Sequence, residues 1–211
     1  MFDYLRDPQS IYDKSFATIR AEADFSGFDA LTEVVATRII HACGMPEILA
    51  DISYSPNVVE AVVTALQNGV PILSDCEMVT HGIIRRMLPK HNEVICTLNN
   101  DSVPKLALSL QTTRSAAAIE LWKENLGGAI AVFGNAPTAL FHLLELLRDG
   151  APKPAAILGF PVGFVGAAES KEALTKHHCD VPYITVLGRK GGSAMAAAAL
   201  NGFSSLTKDT K

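Results

Sequence analysis

Charge of one sign is what this 211-residue sequence most plainly lacks. Its 18 Lys and Arg stand against 22 Asp and Glu, a formal net charge of −4. Without a global basic field a polyanion has nothing to gather on, so nucleic acid is excluded as the expected partner. Any anionic ligand must be held by a local cluster of arginines. No apolar run approaches the ~20 residues that cross a bilayer, which excludes a membrane span. Cysteine is sparse too. The four present (Cys43, Cys76, Cys96, Cys179) are widely spaced, with no CxxC pair and no secretory leader ahead of them. Reduced thiols in a cytoplasm are the expectation.

Nucleotide signatures are also missing. "GFPVGFVG" (159–166) lacks the G-x-G-x-x-G spacing and "GRKGGS" (188–193) lacks that of a P-loop. "KHHCD" (176–180) invites a zinc reading, but adjacent histidines on a helix point ~100° apart and no further Cys/His pair has ligand spacing, so no metal is expected. No linker, low-complexity tract or repeat interrupts the chain. One domain over 1–211 is expected, with a flexible tail from about 205.

What is present suits a full core: 48% hydrophobic residues and 19% charged. Asp7-Pro8 predicts a helix start, followed by Ile11, Tyr12, Phe16, Ile19 and Ala23 at helical spacing. Ser15 falls inside that apolar stripe and Arg20 at its edge. A second helix is predicted from about Asp29 to Cys43, closed by Gly44, with a stripe of Leu31, Val34, Val35, Ile39 and Ala42. A third is predicted after Ser55 as cap and Pro56. Short buried-looking runs follow at 70–73, 93–98, 129–134, 155–160 and 182–188. Helical patterns separate them near 77–87, 102–125, 137–148, 168–177 and 193–203. This alternation predicts an α/β fold: an open, mostly parallel sheet with helices on both faces and N-terminal helices preceding the βα repeats.

In such sheets ligands bind beyond the carboxyl ends of the strands, here polar or glycine-rich: "SDCEM", "TLNND", "GNAPT", "GFPVGFVGAAES" and "GRKGGSAM". Asp75, at one of these ends, reads as the N-cap of the next helix. The small residues of "SAMAAAAL" (193–200) read as a surface for close packing on the sheet or on another subunit. "TTRSAAAIELW" (112–122) offers Thr113 as an N-cap with Arg114 and Ser115 in the first turn. A cation is misplaced there unless an anion joins it.

"RIIHACG" (38–44) raises the sharper question. Arg38 projects into the middle of the second helix's stripe, and His41 lies three residues on, along its border. With Ser15 they make three polar intrusions into apolar faces. Packing alone accounts poorly for three, so this face is expected to close over a ligand with anionic groups. Histidine is also the side chain best suited to proton exchange near neutrality.

The stretches "YDKSFATIRAEAD", "RIIHACGM", "QTTRSAAAIELW", "GNAPTALFHLLEL", "GFPVGFVGAAESKEAL" and "GRKGGSAMAAAALN" together resemble the precorrin-8X methylmutases of cobalamin biosynthesis, over roughly residues 3–204. The resemblance implies a flavodoxin-like fold, a homodimer and no cofactor. It implies an isomerase that moves a methyl group from ring carbon 11 to ring carbon 12 of a corrin precursor, giving hydrogenobyrinate. A sister branch does the same on cobalt-precorrin-8, and the sequence leaves metal-free and cobalt-containing substrate open. The family's catalytic histidine matches His41, and its substrate-contacting serine and arginine match Ser15 and Arg38. Arg20, Thr113, Arg114 and Ser115 complete the expected substrate-binding set. The rival readings are a non-enzymatic tetrapyrrole carrier, which needs no proton at His41, and an ordinary nucleotide-binding enzyme.

Overall fold

Local chemistry sets the first two helices. In a computed structural model that describes residues 2–207, the Asp7 carboxylate accepts the Ser10 N–H at 2.8 Å, and Pro8 opens α1 (Pro8–Glu22) with no N–H to satisfy. Asp29 caps α2 (Ala30–Cys43) by accepting from the N–H groups of Leu31 (2.9 Å) and Thr32 (3.0 Å). Gly44, at φ 70°, closes it and donates its N–H to the Ile40 carbonyl at 2.7 Å. A 3-10 turn over Pro46–Asp51 then leads into β1 (Ile52–Tyr54), a strand the hydrophobic pattern does not announce. The rest of the chain alternates as expected. It runs α3 (Val58–Gln67), β2 (Ile72–Ser74), α4 (Glu77–Gly82), β3 (Val94–Cys96), α5 (Val103–Ser109), α6 (Arg114–Glu120), β4 (Ile130–Phe133), α7 (Pro137–Arg148), β5 (Ala156–Gly159), α8 (Ala167–His177), β6 (Tyr183–Val186) and α9 (Ser193–Leu206).

Four sequence expectations need correction. Ser55 does not cap α3, where Asn57 takes the cap position; the Ser55 hydroxyl accepts the Tyr183 N–H at 3.1 Å and so belongs to the sheet edge. The single helix expected over 102–125 is two, because Gln111 takes φ 50° and Thr113 then caps a new helix by accepting the Ala116 N–H at 3.1 Å. The helix expected over 77–87 stops at Gly82. There Asn201 of α9 takes both loose backbone groups, accepting the Ile84 N–H (2.9 Å) and donating to the Gly82 carbonyl (3.0 Å). Finally, Ser205 and Leu206, expected in a tail, are helical; residues 208–211 lie outside the described part of the chain.

The six strands form one open sheet in the order β1-β6-β5-β4-β2-β3. Only β1 runs antiparallel, pairing Ile52 with Val186 and Tyr54 with Ile184. The five parallel strands have the 2-1-3-4-5 order of flavodoxin-like sheets, with the reversal of strand order between β2 and β4. Alternate residues feed two cores. Ile72, Ile130, Val132, Leu158 and Ile184 pack under α2, α3, α4 and α9, while Leu73, Ala131, Phe133 and Ile157 pack under α7 and α8 with Trp122. α1 lies outside this sandwich, against α2.

The small residues of α9 are spent inside the chain. Ala196, Ala199 and Leu200 are fully buried, so this helix does not present the free small-residue surface expected of a subunit contact.

Candidate active site

The pairing of β1 with β6 sets where the end of α2 lies in the fold. Because Ile52 pairs with Val186 and the Leu187 N–H donates to the Asp51 carbonyl (2.8 Å), the Pro46–Asp51 turn sits at the carboxyl end of β6. The last turn of α2, with His41, is thereby brought to the ligand edge of the sheet. α1 folds back along α2 in the opposite direction. Arg20 pairs with Glu33 at 2.9 Å near one end, and Ser15 meets His41 near the other.

Ser15 Oγ lies 2.9 Å from His41 Nδ1. This bond joins two of the three polar intrusions and fixes the imidazole, which is otherwise exposed. Tyr12 and Phe16 pack beside it, their ring centroids 5.6 and 5.4 Å from that of His41. On one side of the Ser15–His41 pair opens a cleft of ≈ 570 Å³, lined among others by Leu5, Ile11, Lys14, Thr18, Ile19 and Pro46. Its wall is apolar with a few polar groups, the usual make-up of a small-molecule site. Arg38 lies on the other side of the pair, its guanidinium over the Tyr12 and Phe16 rings at 5.7 Å from each centroid. Its Nη1 donates to the Tyr12 hydroxyl at 2.5 Å.

The other expected site residues are placed elsewhere. Arg20 is tied to Glu33 and does not line the cleft. Thr113 and Thr138 share a 2.8 Å hydroxyl contact, and Arg114 donates to the Leu98 carbonyl at 3.3 Å, with Ser115 beside them at the start of α6. This group stands at the same carboxyl edge as His41 but over the opposite face of the sheet. Within one chain the two sets do not meet. Pattern reading also passed over side chains that the geometry brings in. Lys14 and Thr18 share the Ser15 face of α1, a periodicity visible in the sequence once Ser15 is chosen. Tyr12 read only as stripe, and no sequence signal marks its bond to Arg38.

Asp75 occupies the reversal point between β2 and β4, where many folds of this order hold a phosphate. Its carboxylate accepts the N–H groups of Gly134 (2.9 Å), Asn135 (2.9 Å) and Ala136 (2.8 Å). It therefore caps the turn into α7, not α4 as the sequence suggested. Burial pushes its carboxyl above the ordinary range, against the pull of those three donors. The chain's own carboxyl group fills this cradle. Gly134 is required by close approach: a Cβ there would fall 2.5 Å from Val79 Cγ2 and 2.7 Å from Ser193 Cα. Among the described residues no group of three or more His, Cys, Asp or Glu is placed to hold a metal ion. His178 turns instead to the Val181 carbonyl (3.0 Å) and the Tyr183 ring. Nor is any described helix long and apolar enough to cross a membrane.

Comparison with known proteins decides the family. A model of the precorrin-8X methylmutases matches residues 10–206. The chain belongs to the precorrin-8X methylmutase family. A precorrin-8X methylmutase of Pseudomonas aeruginosa is 59% identical over 201 residues, covering 95% of this chain and 97% of that protein. A cobalt-precorrin-8 methylmutase of Priestia megaterium is 37% identical over 200 residues, covering 94% and 88%. The crystal structure of a precorrin-8X methylmutase from Thermus thermophilus superposes with TM-score 0.86 at 40% identity, covering 95% of this chain and 97% of its own. The methylmutase family is one of isomerases.

Proposed function

We propose that the chain catalyses the shift of a methyl group from ring carbon 11 to ring carbon 12 of precorrin-8X, giving hydrogenobyrinate, in cobalamin biosynthesis. The observation that carries the reading is the Ser15–His41 hydrogen bond at the mouth of an apolar cleft. An intramolecular methyl shift asks for no nucleophile and no hydride carrier. It asks that the macrocycle be held in one conformation and one tautomer, which a single proton donor and acceptor sets. A serine hydroxyl both donates and accepts, so Ser15 keeps its bond to Nδ1 whether or not that nitrogen carries hydrogen. Nε2 is then free to give a proton to the ring system and take it back. Arg38 supplies charge for a peripheral carboxylate, and the Tyr12, Phe16 and His41 rings supply a face for a flat apolar macrocycle.

The metal-free substrate is favoured over the cobalt complex by the higher identity to the relative named for precorrin-8X. A passive corrin carrier would need no proton exchange at His41, so a variant unable to exchange a proton there separates the two readings. The working unit we propose is a homodimer in which the α1 surface borders the site, and its setting the cytoplasm, in keeping with four unpaired cysteines.

His41→Asn tests the assignment, because asparagine keeps polarity and cannot titrate. Single-turnover migration, read from the change in the visible spectrum, should fall by ~10²–10⁴-fold. Hydrogenobyrinate should still bind within about threefold of wild type. Migration near the wild-type rate would remove His41 from the mechanism.

A further inference from the structure

Two arginines on the first two helices are treated in opposite ways. Arg20 is neutralised by Glu33 at 2.9 Å. Arg38 has no carboxylate partner among the described residues; its Nη1 donates to a neutral phenol, Tyr12, at 2.5 Å. Its Nε is shielded from water and donates to nothing among the described residues. A partly buried guanidinium with a donor unused is an expensive arrangement unless a ligand completes it.

The surroundings hold the group without quenching it. The Tyr12 hydroxyl offers lone pairs and no charge. The Tyr12 and Phe16 rings, centroids 4.3 Å apart, both lie under the guanidinium at 5.7 Å, a cation–π arrangement that also leaves the positive charge intact. α9 closes the back: a Cβ on Gly202 would stand 3.4 Å from Arg38 Cδ, so the stem of the arginine is confined by that helix. Confinement at the stem and a single tether at Nη1 determine which way the remaining N–H groups face.

We propose that Tyr12 is a positioning residue for the methylmutase reaction, holding the Arg38 guanidinium oriented to receive a substrate carboxylate. The inference rests on the reading of Arg38 as a carboxylate anchor. Because Tyr12 acts through Arg38, its loss should cost affinity and leave the methyl shift of bound substrate alone.

The test is a double-mutant cycle with hydrogenobyrinate as the probe, followed by its visible spectrum, on Tyr12→Phe, Arg38→Ala and the double variant. Tyr12→Phe keeps the ring, so its melting temperature should stay within about 2 °C of wild type. Its Kd should rise about five- to twentyfold, with KM rising alike and kcat within about twofold. Arg38→Ala should bind more weakly still, and adding Tyr12→Phe to it should change the Kd by less than about twofold. Wild-type affinity in Tyr12→Phe would overturn the proposal, as would full additivity of the two changes. A drop in kcat and melting temperature together would show Tyr12 to be a packing residue and also overturn it. Wild-type affinity in Arg38→Ala would remove the carboxylate anchor itself, and this proposal with it.

Discussion

Lys171 is a residue whose surroundings contradict its chemistry. It is fully buried within α8, and its Nζ donates to the Lys190 carbonyl at 2.5 Å. Burial pushes its ammonium down to about 8, against a smaller upward pull from Asp51. In the unfolded chain a lysine returns to its ordinary value near 10.4. Between these two values the unfolded chain binds more protons than the folded one, so this group makes stability rise with pH across that window. In Lys171→Met the contribution is gone. The urea midpoint of wild type should therefore gain on that of Lys171→Met between about pH 7.5 and about pH 10. A constant difference between the two would show that the ammonium is not desolvated. Nothing in "ESKEALTKH" announces this, because a lysine among glutamates on an amphipathic helix reads as surface. Ser15, Arg38 and His41 were legible for the opposite reason: a polar group interrupting an apolar stripe is visible without knowing what it touches. Tyr12 stayed hidden because a tyrosine belongs in such a stripe whether or not its hydroxyl has a task.

At the scale of elements, α9 backs the part of α2 that bears Arg38. A Cβ on Gly202 would stand 3.0 Å from Val35 Cα, so α9 meets α2 backbone to backbone at the turn that bears Arg38. Gly202→Leu would wedge the helices apart at a typical cost of about 1–3 kcal/mol. In a chain of this size that lowers the melting temperature by about 2–12 °C. It should also weaken hydrogenobyrinate binding, since Arg38 moves with its helix, and calorimetry with a binding titration reads both. Normal affinity in a destabilised variant would detach Arg38's position from this contact. Element types were largely readable because caps are local: Asp7, Asp29, Gly44 and Thr113 act on groups within four residues. What was not readable depends on distant partners. β1 is three residues long and exists because β6 offers an edge, and α4 ends where Asn201, 119 residues from Gly82, takes its backbone groups. The buried face of α2 likewise differs from the expected stripe. Thr32, Val35, Ala36, Ile39 and Ile40 are buried, while Leu31 and Ala42 are exposed, because α9 chooses the contact face.

At the scale of the molecule, one substrate must meet two separated sets of groups. His41 and Ser15 stand over one face of the sheet, and Thr113, Arg114 and Ser115 over the other, both at the carboxyl edge. Apolar side chains stay exposed near each. Phe2, Tyr4, Leu5 and Ile11 are exposed around the cleft, and Leu108, Leu110, Phe164 and Val165 toward the other side. Exposed apolar groups in such numbers mark a contact surface more often than bare solvent. In the proposed homodimer a two-fold axis would place the same patch of both chains in mutual contact, and so could bring one chain's α6 to the other's α1. Light scattering at micromolar concentration should give twice the chain mass, with an interface above ~1,000 Å². Complementation then reads whether the sites are shared. If each site takes His41 from one chain and Arg114 from the other, His41→Asn and Arg114→Ala, each inactive alone, should regain about a quarter of wild-type turnover when unfolded together and refolded as a mixture, because half the dimers are mixed and each mixed dimer has one intact site. A monomer with full activity would end the dimer proposal. No recovery from verified mixed dimers would confine each site to a single chain.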